Sequence, residues 1–168
     1  MNVLVSLAEK IALTNKMLNE SFREYFNDDF ENLRTISTPY GELGTILYHI
    51  FKATNVWVNR ISGQNAIMRS YEELITKNDF YDEWIMVDQR FVTLSKETEF
   101  DYSKMLRVTT KSGEDFTVTV EDALLHLSHH SFQHRGNLGS IIRSQNLKPL
   151  PGLDWIDANL IERFNTSN

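Results

Sequence analysis

Apolar residues recur every three or four positions along most of this 168-residue chain, and its helix-breaking residues mostly stand between those stretches. Seven Gly and three Pro are few for that length. A sandwich of many short strands needs frequent Gly- and Pro-rich turns, so the pattern selects long amphipathic helices instead.

Four helical stretches follow from the spacing. The first runs from about Val3 to Phe26, with Leu4, Leu7, Ile11, Met17, Leu18 and Phe22 on one face. The second opens at STPYGELG, where Thr38 suits a cap and Pro39 the first helical position. It continues through Ile46, Leu47, Ile50, Phe51, Val56 and Trp57 to about Ile61, where SGQN ends it. The third begins at SYEEL, with Ser70 and Glu73 spaced as a capping box, and is expected to reach Glu97.

The pattern then changes. In MLRVTTKSGEDFTVTV, Val108 and Thr110, then Phe116, Val118 and Val120, alternate around a Lys-Ser-Gly-Glu turn, which predicts a small β-hairpin. The fourth helix starts at TVEDALL, where Thr119 and Asp122 resemble a second capping box, and runs to about Gln145. The tail LKPLPGLDWIDANLIERF reads as a strap or short helix across the open end. Trp57, Trp84 and Phe91 fall at helical spacing with other apolar residues and are expected in the core. The fold class is therefore all-α, a four-helix bundle with a hairpin before its last long helix, in a single domain spanning 1–168.

Composition excludes several functions. A net charge of −6 without a basic run provides no electrostatic footprint for nucleic acid. No apolar run approaches the roughly 20 residues of a membrane span, and the N-terminus lacks a signal-peptide core. A soluble, cytoplasmic protein is expected. Cysteine is absent, so disulfides, thiolate ligands and a cysteine nucleophile are excluded, and any thiol chemistry would use a thiol brought in as substrate.

The chemistry concentrates in the histidines. Four of five lie in HLSHHSFQH, and His126, His130 and His134 form a stripe because residues four apart share a helix face. His129 points in a neighbouring direction. The fifth, His49, sits in LYHIFKA of the second helix. A lone buried histidine is ordinarily satisfied by a carbonyl or hydroxyl, and an i, i+4 pair is a weak metal signal. Together they are stronger, because helices of similar length bring their middles to similar heights and three imidazoles would converge inside the bundle. Leaving their nitrogens unsatisfied there would cost about 1–3 kcal/mol each.

The stretch HLSHHSFQHRGNLGSIIRSQNLKPLPGLDW resembles the last helix and tail of the DinB (YfiT-like) superfamily of metal-dependent enzymes, in which a histidine, three residues and then His-Arg-Gly precede an apolar helix end and a proline-containing segment. TPYGELGTILYHIFKATNVWVNRISG is similar to that family's second helix. The resemblance covers nearly the whole chain and places a divalent-metal triad on His49, His130 and His134. His126 is then pocket lining or a support one turn outside the triad. His129 stands where the family often has Asn, and Gln133 where a histidine is frequent. Arg135 is expected in an ion pair, at the surface or between helices, and Gly136 at a close helix contact. Lys52, Ala53 and Asn137 would border the metal; no catalytic acid or base stands out.

Three neutral nitrogens suit zinc, nickel or ferrous iron rather than magnesium or calcium. Three protein ligands leave a position open, where a water or thiol would acidify. The resemblance implies a small-molecule transferase acting on a low-molecular-weight thiol, working as a homodimer. Hydrolysis, a stress-associated bundle that binds metal or ligand without turnover, and a purely structural or dimerising bundle stand as alternatives.

Overall fold

A computed structural model describes residues 3–25, 35–39, 41–64, 69–70, 77–96, 101–110 and 112–147. Its elements are α1 (Val3–Tyr25), β1 (Ser37–Thr38), β2 (Gly41–Glu42), α2 (Leu43–Ser62), α3 (Lys77–Ser95), β3 (Met105–Thr109), β4 (Asp115–Thr119) and α4 (Val120–Ser144). Each helix meets two neighbours: α1 packs on α3 and α4, and α2 also packs on α3 and α4. The result is the expected all-α bundle with a small antiparallel hairpin before the last helix.

The termini show where local chemistry prevailed. Thr119 caps α4 as anticipated: its hydroxyl accepts from the Asp122 backbone N–H at 3.0 Å, and the Asp122 carboxylate accepts from the Thr119 N–H at 3.1 Å. The start of α2 differs from expectation. Thr38 and Pro39 do not open the helix, because Gly41, at φ +101°, reverses the chain and pairs β2 with β1. Thr38 donates instead to the Gly41 carbonyl at 2.6 Å, and α2 begins only at Leu43 behind a Glu42 that makes no side-chain cap. Gly63, left-handed at φ 70°, ends α2. The third helix ends at Ser95, two residues before the expected Glu97, while Glu73 of the box read with Ser70 and residues 148–168 of the C-terminal strap lie outside the described residues.

In the hairpin, Leu106 and Val108 face inward, while Phe116 opposite Val108 is 45% exposed. Thr110 lies beyond the strand, in the turn. Val120 has left the hairpin and is buried as the first residue of α4.

The core divides in two. One cluster gathers Leu18 and Phe22 with Leu43, Leu47, Phe51, Trp84 and Ile142; the other gathers Leu7 and Ile11 with Trp57, Val58, Phe91, Val120 and Leu127. Trp57, Trp84 and Phe91 are buried as predicted. The order in which each helix visits the clusters makes α1 and α4 run one way, and α2 and α3 the other.

Between the clusters lies a polar layer. Asn15 of α1 donates to Asp88 of α3 at 3.0 Å, Ser131 of α4 donates to Asn15 at 3.2 Å, and Arg135 donates to Ser131 at 2.6 Å. All four are buried. Burial pushes the Asp88 carboxyl well above the usual carboxylate range, against the pull of the Asn15 hydrogen bond and the Arg135 charge. Burial likewise draws Arg135 down to about 10, opposed by Asp88. Arg135 is thus buried beside Asp88 without an ion pair to it among the described residues: it donates to Ser131 of its own helix, and its Nε and Nη2 have no hydrogen-bond partner there.

Gly136 departs from expectation. It is exposed, and a Cβ built there meets nothing within 4 Å, so no close contact among the described residues requires glycine.

Asp88→Ala removes the acceptor for Asn15 and leaves a cavity in a buried polar layer, and should destabilise by about 2–5 kcal/mol. Asp88→Asn keeps the acceptor and should cost less. Urea unfolding of both variants checks this; equal, sub-0.5 kcal/mol effects would contradict it.

Candidate metal centre

Successive helical residues point about 100° apart, so α4 presents two functional faces side by side. Ser131 and Arg135 turn into the polar layer. Their immediate predecessors, His130 and His134, turn toward the seam with α2, where His49 meets them.

The three imidazoles converge. Nε2 of His130 lies 2.8 Å from Nε2 of His49. Ring centroids are 4.7 Å apart for His49 and His130, 4.8 Å for His49 and His134, and 4.5 Å for His130 and His134. One ligand nitrogen from each falls within 4.8 Å of the others. Nitrogens each about 2.1 Å from one ion and tetrahedrally disposed stand about 3.4 Å apart, so a cation would draw the widest pair in by roughly 1.4 Å.

The donor chemistry fits as well. Burial first, then the neighbouring His134, His49 and His126, lower His130 to about 4. Burial and His49 also lower His134. Both rings are therefore neutral near pH 7, so neither opposes a cation with a charge of its own. Nδ1 of His130 is buried without a hydrogen-bond partner among the described residues, so Nε2 is the nitrogen this ring offers outward.

The location corrects one expectation. The triad does not converge inside the bundle, because the interior at that height is filled by the polar layer. His49 is exposed, His130 and His134 are half-buried, and the site opens onto a groove of about 190 Å³ lined by Thr45, Ile46, His49, His134 and Asn137.

The remaining candidates separate. His126 is exposed, its ring 5.6 Å from His130 and 5.8 Å from Trp57, and the Arg60 guanidinium stacks 4.9 Å from Trp57. It flanks the triad one turn away, as expected. His129 faces solvent and its Nδ1 lies 2.9 Å from the Leu125 carbonyl, so it takes no part. Of the three residues expected to border the metal, Asn137 lines the groove. The Lys52 ammonium sits 5.9 Å from the Tyr48 ring, and Ala53 packs against the second apolar cluster. Thr45, one turn before His49, escaped sequence reasoning; the i−4 spacing was the available signal.

Comparison with known families decides the relationship. The DinB family model matches residues 1–151. The chain belongs to the DinB family. A search of curated proteins found no match for this DinB chain. Membership and the clustered histidines together describe a metal-binding type of site in a helical bundle. No described helix is long and apolar enough to cross a membrane.

His130 titrates near 4 when folded and near 6.5 when unfolded, so between those values the unfolded chain holds more protons. The resulting stability is present above pH 6.5 and is lost as pH falls toward 4. In metal-free protein the loss should stay below the roughly 1.4 kcal/mol per pH unit of a fully protected group, because water screens this half-exposed ring. His130→Asn should flatten urea midpoints plotted against pH between 7 and 4.5; parallel curves would refute the assignment.

Proposed function

We propose that this protein is a metal-dependent enzyme in which His49, His130 and His134 hold one zinc, nickel or ferrous ion, and that it transfers a low-molecular-weight thiol to an electrophilic carbon. The observation that carries the reading is the approach of three imidazoles from two helices to within 4.8 Å at a groove open to solvent. Nitrogen-only ligation favours these metals, and three ligands leave room for a substrate atom.

When bound, the cation supplies Lewis acidity that lowers the pKa of a coordinating thiol or water. The chain's own residues do the rest. The imidazoles orient the site from two helices fixed against each other. Among the described residues no carboxylate lines the groove, so the thiol proton leaves to solvent. The sulfur–carbon bond forms as the bond to the leaving group breaks. With no cysteine anywhere in the chain, no protein thiol competes for the electrophile.

That no other acid or base stands beside the histidines among the described residues favours a second reading, a bundle that binds metal or a small ligand without turnover. Hydrolysis would use the same open position with water in place of thiol. We also propose a homodimer, for which the exposed Leu125 and Phe132 of α4 offer apolar surface.

Metal-stripped protein reconstituted with zinc, nickel or ferrous iron should take up one equivalent per chain by elemental analysis. His49→Ala should weaken that binding by more than about a hundredfold, beyond the 10–100-fold that loss of an outer-shell partner costs. Conjugation of glutathione to 1-chloro-2,4-dinitrobenzene should require the metal. Metal uptake without conjugation or ester hydrolysis would favour the binding bundle, and unchanged affinity in His49→Ala would end the triad assignment.

A further inference from the structure

The groove beside the triad carries two polar side chains that the histidines do not need. Thr45 lies one turn before His49 on α2, and Asn137 three residues after His134 on α4. The helices are antiparallel, so the two fall at the same end of the triad, opposite the end where His126 stacks between His130 and Trp57. Among the described residues neither side chain has a hydrogen-bond partner. Ile46 is the apolar member of this lining.

The lining is also uncharged apart from what a metal would bring. Among the described residues no Lys, Arg, Asp or Glu belongs to it, and Lys52 is turned to the Tyr48 ring. A carboxylate or phosphate seated there would give up water without gaining an ion pair. A carboxamide offers a carbonyl to accept and an N–H to donate, which matches one hydroxyl and one amide side chain. The volume, about 190 Å³, is below the 300–1,000 Å³ of sites that engulf drug-sized ligands. It holds the reactive end of a small molecule and leaves the remainder outside.

We propose that Thr45 and Asn137 form a recognition edge for an uncharged amide group a few bonds from the sulfur of the substrate, which makes the thiol amide-bearing rather than acidic at that position. This inference rests on the thiol reading of the site. Neither residue is catalytic in it; both set specificity by hydrogen bonding.

Cobalt(II)-substituted protein, with one equivalent bound by elemental analysis, tests the idea without turnover. The probes are 3-mercaptopropionamide, 3-mercaptopropionate and 1-propanethiol, each titrated while the near-ultraviolet sulfur-to-cobalt charge-transfer band is followed. Two neutral hydrogen bonds gained against water amount to about a tenfold affinity difference, so the amide should bind about ten times more tightly than either of the others. Asn137→Leu and Thr45→Val should each shrink that advantage severalfold. Equal affinities for amide and propanethiol, or an amide advantage that survives both substitutions, would overturn the recognition edge while leaving the thiol reading intact. Absence of a sulfur band with every probe, despite bound cobalt, would overturn both.

Discussion

The hydrogen-bonded layer of Asn15, Asp88, Ser131 and Arg135 holds the last helix in one rotational setting, and the rest of the site follows from that. Apolar packing alone is permissive, since a helix can turn or slide and still bury hydrocarbon. A buried carboxyl and a buried guanidinium are not permissive, because each misplaced polar atom loses a partner in a medium that supplies no other. Ser131 and Arg135 must therefore face inward. His130 and His134, one residue earlier, are thereby turned to the α2 seam, and the surface site depends on interior polar chemistry.

At that seam the imidazoles oppose one another electrostatically. Burial first, then neighbouring rings less than 5 Å away by centroid, disfavours protonation of His130 and His134, so these two rings stay neutral with lone pairs close together. Nε2 of His49 and Nε2 of His130 lie at hydrogen-bonding distance, 2.8 Å, and a cation held by all three residues would satisfy the third ring as well. The groove beyond is neutral and small, which leaves selectivity to hydrogen bonding and shape.

Much of this was legible in the sequence. The helical period marked all four helices, the Thr119–Asp122 box located the start of α4 to the residue, and alternation revealed the hairpin. The histidine spacing identified the stripe on α4, and resemblance to the family joined His49 to it. What the sequence did not disclose depends on contacts between segments. Thr38 and Pro39 look like a helix start, but the left-handed Gly41 makes a tight reversal that defers α2 to Leu43. The histidines were expected inside the bundle because nothing local reveals that Asn15 and Asp88 already occupy the interior with Ser131 and Arg135. Gly136 looked like a packing residue because a mid-helix glycine usually has a steric reason, yet its face is the outward one.

X-ray absorption on the zinc-reconstituted protein tests the central claim most directly, since it reads the first coordination shell. The account predicts nitrogen scatterers near 2.0–2.1 Å with the outer-shell signature of three imidazoles. A shell of oxygens, or the signature of two imidazoles or fewer, would contradict it.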